Sequence, residues 1–412
     1  MSKNNNRAVL GLVLVAGLAG VAAPAVGQQP TRIVMNMTDG PMGGGGAISK
    51  KSVERYAEVL GFSDEQKETA LVVHEGYQAS MKDVAKAKSS AMEDVNRSAQ
   101  DSGDHSIFME KFPVINKEYR EKEVKLEKSL MDDLKALCTG AAQEGKWGKV
   151  ERMRRREVEL RRGSVSGEAM DLVEIVHNLK LGGEAMTPIA AVLDEYETEM
   201  DGQIKNRQRV QADAATFKPG EAPDMDAMRK SMAESREAGL KIKGVNERFA
   251  KRIEGALPEE KRPAFRQAVR QATFPQVYRR SPITRDLDKA LALNDLTSQQ
   301  RETLSSLKAS YERDARPVNE AWAAAIEATE KDDKNSGVVT GAGGGGMVIR
   351  MGDEAQGVKD ARKARRDVDD KARKIIKETL NEGQQTAIKP QPGEADEGIE
   401  MMGEAVMIRS TR

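Results

Sequence analysis

His74, His105 and His177 are the only histidines of this 412-residue chain and Cys138 is its only cysteine, so the side chains that most often hold metals or attack carbonyls are scarce. His74-Glu75 opens like the H-E-x-x-H of a zinc protease helix, where two histidines one turn apart grip the metal and the glutamate acts as base. Position 78 is Gln78, and the second ligand is missing. In GSVSG, residues 163–167, Val165 stands where a nucleophilic serine would. GAGGGGM, ending at Met347, lacks the Lys-Ser/Thr of a phosphate-binding loop. These residues predict no catalytic group, no metal site and no cofactor. His74 and His177 are expected on helix surfaces or seam edges, and Cys138 as a small apolar side chain at a helix end. A single cysteine also excludes an internal disulfide.

Two excesses remain. Methionines gather near the N-terminus (Met35, Met37, Met42), around a glycine run (Met347, Met351) and near the C-terminus (Met401, Met402, Met407). Thioethers suit Cu(I), but without histidine or cysteine support the stretches RIVMNM, MVIRMG and AVMIRS read better as apolar segments that stick to exposed apolar surface. The second excess is ERMRRREVELRRG, with Arg152, Arg154, Arg155, Arg156, Arg161 and Arg162. Such density suits a polyanion or an acidic client, whereas the interspersed glutamates favour a solvated helix face with neighbouring ion pairs.

The elements that must carry these residues are helices. Charged residues reach 32% and aromatics only 4%, and Ala, Glu, Lys, Arg, Gln, Met and Leu fill the long segments. The class is all-α, built from elongated helices with narrow apolar seams. The first residues, MSKNNNRAVLGLVLVAGLAGVAAPAVGQQP, have Lys3 and Arg7 before an apolar core and a small-residue site at Ala25-Val26-Gly27, the pattern of a cleavable secretory signal. Export, with no stable membrane span after cleavage, is the expectation. Basic and acidic residues balance at 66 each, which gives no reason to expect nucleic acid as a partner.

Aligning Phe62, Leu181 and Leu296 brings Tyr77, Tyr196 and Tyr311 into register. Ala70, Val73, Tyr77 and Met81 then match Ile189, Val192, Tyr196 and Met200, and Leu304, Leu307, Tyr311 and Ala315; spacings of three and four mark one helix face. The first offset also carries Leu126, Leu130 and Leu134 onto Val245, Phe249 and Ile253, and LNEGQQTAI mirrors LPEEKRPAF. A period shared by two helices predicts three tandem helical hairpins with short flanking helices. The expected organisation is a signal peptide at 1–27, a flexible Gly/Met-rich leader at 28–52, repeats at 53–162, 163–280 and 281–388, a Gly-rich insertion at 335–357 and a flexible tail at 389–412. The tyrosines are expected as buried seam. Pro317 is expected to break or kink its helix.

LTSQQRETL at 296–304 is echoed by FSDEQKETA from Phe62. Thr297 with Gln300, and Ser63 with Gln66, have the spacing of a capping box, in which the hydroxyl accepts from the later amide and the glutamine reaches back to the earlier one. Leu296 and Phe62 anchor the chain before each helix. The second unit has no such box, and Pro188 is expected in its first helical turn. The motif L-T-x-x-Q heading a long amphipathic helix resembles the Spy/CpxP family of periplasmic stress proteins, matched outright by Leu296, Thr297 and Gln300 and more weakly by Ser63 and Gln66. The resemblance implies bent helical hairpins that form a cradle for unfolded clients without ATP, or that respond to envelope stress. Family members are short, with one hairpin per chain, whereas three are expected here.

The function expected from these readings is non-enzymatic binding of protein clients, or of one envelope protein partner, in the periplasm. Oligomerisation is compatible with it. The alternatives are an envelope scaffold with one fixed partner and a metal-responsive binder of Cu or Zn.

Overall fold

A computed structural model describes residues 46–104, 106–163, 165–212, 225–331 and 355–389. The predicted signal peptide, most of the leader and insertion, nearly all of the tail, His105 and the three methionine clusters lie outside the described residues. Every regular element among the described residues is helical, so the chain is all-α. The helices are α1 (Lys50–Leu60), α2 (Asp64–Ser102), α3 (Ser106–Ala136), α4 (Ala141–Glu144), α5 (Trp147–Glu159), α6 (Leu172–Asn178) and α7 (Gly183–Ala212), followed by α8 (Met225–Ala256), α9 (Arg262–Thr273), α10 (Pro275–Tyr278), α11 (Pro282–Leu291), α12 (Ser298–Lys331), α13 (Gln356–Thr379) and α14 (Glu382–Ala387).

The long helices pack in three pairs, α2 with α3, α7 with α8 and α12 with α13. Each pair is antiparallel: Glu195 meets Arg252 while Glu199 meets Arg248, and Gln66 at the start of α2 bonds Leu137 just beyond α3. The described residues divide into two compact units, one holding the first two pairs through Pro275 and the other holding the third pair from Gln276 onward. Each pair has its own apolar cluster, centred on Tyr77 and Leu130, on Tyr196 and Phe249, and on Tyr311 and Ile376.

Local signals start and stop the helices. Ser49 accepts from the Ser52 amide to open α1. Gly61 closes it at φ 70°, where its own N–H reaches Glu58 and that of Phe62 reaches Ala57, a left-handed cap that glycine adopts without a Cβ clash.

Four expectations are corrected or narrowed here. The leader is ordered well before residue 52, because Ile48 is fully buried, and the insertion ends earlier than residue 357, since α13 already begins at Gln356. Pro188 does not start α7; the helix begins at Gly183, where the Ala185 and Met186 amides both reach the Gly182 carbonyl, and Pro188 is interior. Of the two outcomes expected at Pro317, a break is ruled out, because α12 continues to Lys331. One lost backbone bond is outweighed by burial of Leu307, Tyr311, Ala315 and Ala323 on both sides of it.

Candidate functional site

The glutamine of the repeated phrase does more than cap. Thr297 N–H donates to Gln300 Oε1 at 2.9 Å and Gln300 N–H donates to Thr297 Oγ1 at 3.2 Å, which completes the box. Gln300 Nε2 then donates to the carbonyl of Thr379 at 2.8 Å and to Gln384 Oε1 at 3.0 Å. The first pair repeats this: Ser63 N–H to Gln66 Oε1 at 2.8 Å, and Gln66 Nε2 to the Leu137 carbonyl at 2.7 Å with Gln143 Oε1 at 3.1 Å. One side chain thus satisfies an orphan amide at one helix start and a carbonyl at the end of the returning helix. The motif locks the base of a hairpin.

The second pair lacks the glutamine, since Ala185 occupies the corresponding place, and closes its base with Arg262, which donates to the Leu257 carbonyl at 2.9 Å and the Gly255 carbonyl at 3.2 Å. Gln385 makes the same five-residue reach to Leu380 at 2.7 Å in the third. Phe62 is buried and Leu296 packs on the third cluster as expected. Arg301, at the staple position, instead donates to the Leu291 and Leu293 carbonyls at the end of α11.

The three seam tyrosines are buried, and their hydroxyls share one task. Tyr77 Oη accepts from Ile48 N–H at 3.1 Å beside the start of α1. Tyr196 Oη accepts from Leu172 N–H at 3.3 Å at the head of α6, and donates to Asn246 Oδ1 at 2.9 Å. Tyr311 Oη lies 2.7 Å from Ser281 Oγ, the cap of α11, and 2.7 Å from Asp369 Oδ1. Each tyrosine therefore pins the head of the short helix that precedes its own long helix. Burial, with no full compensation from hydrogen bonds, raises all three phenol pKa values, that of Tyr311 to about 12.

His74, expected on a helix surface or a seam edge, is buried. It is 3% exposed, and its Nε2 lies 2.8 Å from the Ile48 carbonyl, so Tyr77 and His74 hold the two polar groups of one backbone residue. His177 is exposed. Cys138 lies two residues past α3, half-buried against the first cluster, where burial raises its thiol pKa. Among the described residues no group of three His, Cys, Asp or Glu could hold a metal ion.

The arginines of the cluster that lie on α5 do not form a solvated face, whereas Arg161 beyond it is exposed. Arg154 and Arg156 are buried, as is Arg207 on α7. Arg154 makes a two-pronged pair with Glu127 of α3 at 2.8 Å and reaches the Gly46 carbonyl. Along α5, Lys149, Arg152 and Arg155 face Asp194, Glu197 and Asp201 of α7 at 2.8, 3.9 and 2.6 Å. Arg207 pairs with Glu168 at 2.5 Å and Glu159 at 3.2 Å, and also donates to the Glu159 carbonyl. A Cβ on Gly239 of α8 would lie 2.6 Å from Glu168 Oε2, so only glycine lets that carboxylate approach. Arginine runs mark solvated faces when the partners are local. Here, apart from the local Arg154–Glu157 pair, they come from α3, α7 and Asp171, which no spacing within the run discloses.

The pairs differ in how they are covered. Leu160, Met170 and Leu172 join the apolar cluster of the second pair, and Val165 and Glu168 are buried as well. In the first pair, beyond Tyr77 and before Leu130, Ala99 and Phe108 are the only described side chains that are buried. Met81, Val84, Met92, Val95, Phe112 and Ile115 remain half-buried along this arm, and Val114 and Val124 are exposed.

The chain matches no protein-family model, no curated protein and no solved structure.

Proposed function

We propose that the chain is an exported, non-enzymatic protein of the periplasm that binds other proteins through its helical hairpins, as an ATP-independent chaperone or envelope stress factor. The observation that carries this reading is the uncovered arm of the first pair. A two-helix arm cannot bury both sides of its seam, and this one leaves methionine, valine and aromatic side chains half-exposed over most of its length. Methionine is adaptable enough to meet unlike apolar sequences, which suits varied unfolded clients. The arm is also charge-mixed, with ion pairs Arg97–Asp94 and Lys122–Glu118 on its outer faces, which keeps it soluble while the seam stays available. The L-T-x-x-Q resemblance points the same way, and the clasps hold each base closed while the arm engages.

The test is light scattering of an unrelated, chemically unfolded protein diluted into the purified chain without nucleotide. Suppressed aggregation near equimolar amounts, lost on Phe112→Asp with little change in melting, is the expected result. Unchanged scattering would favour the alternative of an envelope scaffold with one fixed partner, for which a pull-down is the next step.

A further inference from the structure

Within the first unit, α1, α5, α6 and α7 surround a groove of about 480 Å³. That volume falls in the range of about 300–1,000 Å³ typical of small-molecule sites. Its walls carry Val59, Met153, Val176, Leu181, Met186 and Leu193, an apolar lining broad enough for a hydrocarbon chain.

Its charges are unbalanced. Lys149 is paired with Asp194, and Arg156 is paired with Asp171 at 3.2 Å and with Glu197 at 3.6 Å. The side chains of Arg55 and Lys180 make no hydrogen bond or ion pair with any described residue, against one unpaired carboxylate, Glu58. Cationic groups left without partners around an apolar recess fit a ligand with an anionic end.

The backbone adds an independent sign. Lys180 follows the end of α6 at φ 47° and is the only described non-glycine residue with a positive φ. Glycine fills this position at a helix end without strain. A lysine kept in that conformation places an ammonium at the groove at some cost to the fold, the pattern of strain found where a side chain has a task.

We propose that this groove binds a medium-chain aliphatic carboxylate, with the chain on the apolar lining and the carboxylate paired with Arg55 and Lys180. The proposal does not depend on the arm reading, because the groove and the arm share no residue.

Calorimetric titration of the full chain with dodecanoate, below its micelle-forming concentration, tests it. The expected result is saturable one-site binding that weakens about fourfold for each methylene removed from the chain. Dodecyl maltoside, with the same chain and an uncharged head, is expected to bind at least tenfold more weakly. The Arg55→Glu, Lys180→Glu double variant should lose at least tenfold in affinity, and Lys180→Gly should weaken binding while raising Tm. Phe112→Asp should leave dodecanoate binding unchanged, which separates a failure here from a failure of client binding. Absence of saturable heat, equal binding of the maltoside, or full affinity in folded charge variants would each overturn the proposal.

Discussion

The side-chain amide of Gln300 stands 2.8 Å from the carbonyl oxygen of Thr379, although 78 residues of chain lie between them. The same glutamine accepts the Thr297 amide, so it holds one helix start and one helix end together.

Gln300→Glu separates these two tasks. The carboxylate still accepts from Thr297 and gains up to about 1 kcal/mol from the helix N-terminus. It cannot donate to Thr379, and it sets negative charge against that carbonyl, a loss of about 1–3 kcal/mol. Net destabilisation is expected, larger than the loss of about 1 kcal/mol from Thr297→Ala. Urea unfolding reads both, and a stabilised Gln300→Glu would show that the clasp contributes nothing.

The tyrosine hydroxyls should not count equally. Tyr196→Phe leaves the Leu172 amide and Asn246 Oδ1 without that partner at fully buried positions, for a cost of about 1–3 kcal/mol. Tyr77→Phe removes a single bond, to Ile48, and should cost less. Thermal melts of the two variants should fall in that order.

Gly239→Ala puts helix propensity and packing in opposition. Alanine in a helix interior gains about 1 kcal/mol over glycine. The new methyl group would overlap Glu168, and disrupting the buried pair with Arg207 costs about 3–5 kcal/mol. Destabilisation is expected. A raised Tm would mean that the Glu168–Arg207 pair relaxes freely.

Alkaline pH should unfold the protein and ionise its phenols together. Burial is the main force that raises the pKa values of Tyr56, Tyr77, Tyr196 and Tyr311, with the Glu157 carboxylate adding to it at Tyr56. A phenol whose folded pKa exceeds its unfolded value of about 10 contributes stability that is complete below that pH. It is lost as pH rises through the folded value, about 12 for Tyr311. Phenolate absorbance should therefore rise steeply with loss of helix above pH 10, and an independent, gradual titration of all tyrosines in folded protein would contradict the burial described.

Much of this was legible in the sequence because it is local or periodic. The capping boxes follow from spacing alone, and the buried tyrosines from their shared helix face. The face is wider than that pattern at one position: His74 and Leu193 are buried beside Tyr77 and Tyr196, where Val73 and Val192 are half-buried, while Leu307 is buried in the third pair. Leu193, the apolar counterpart of His74, was a usable signal. The second function of Gln66 and Gln300 was hidden because their partners lie more than 70 residues away. Arg154, Arg156 and Arg207 were hidden for the same reason, since charge in a sequence indicates solvent unless the opposing carboxylates can be placed beside it.

The row formed by Lys149, Arg152 and Arg155 against Asp194, Glu197 and Asp201 is written with one sign on each helix. Two copies of α5 would repel one another, as would two copies of this α7 face. The helix that follows the first hairpin is thus addressed to the second hairpin and refuses its own duplicate, so the row works as a one-way key that sets which hairpin lies beside it.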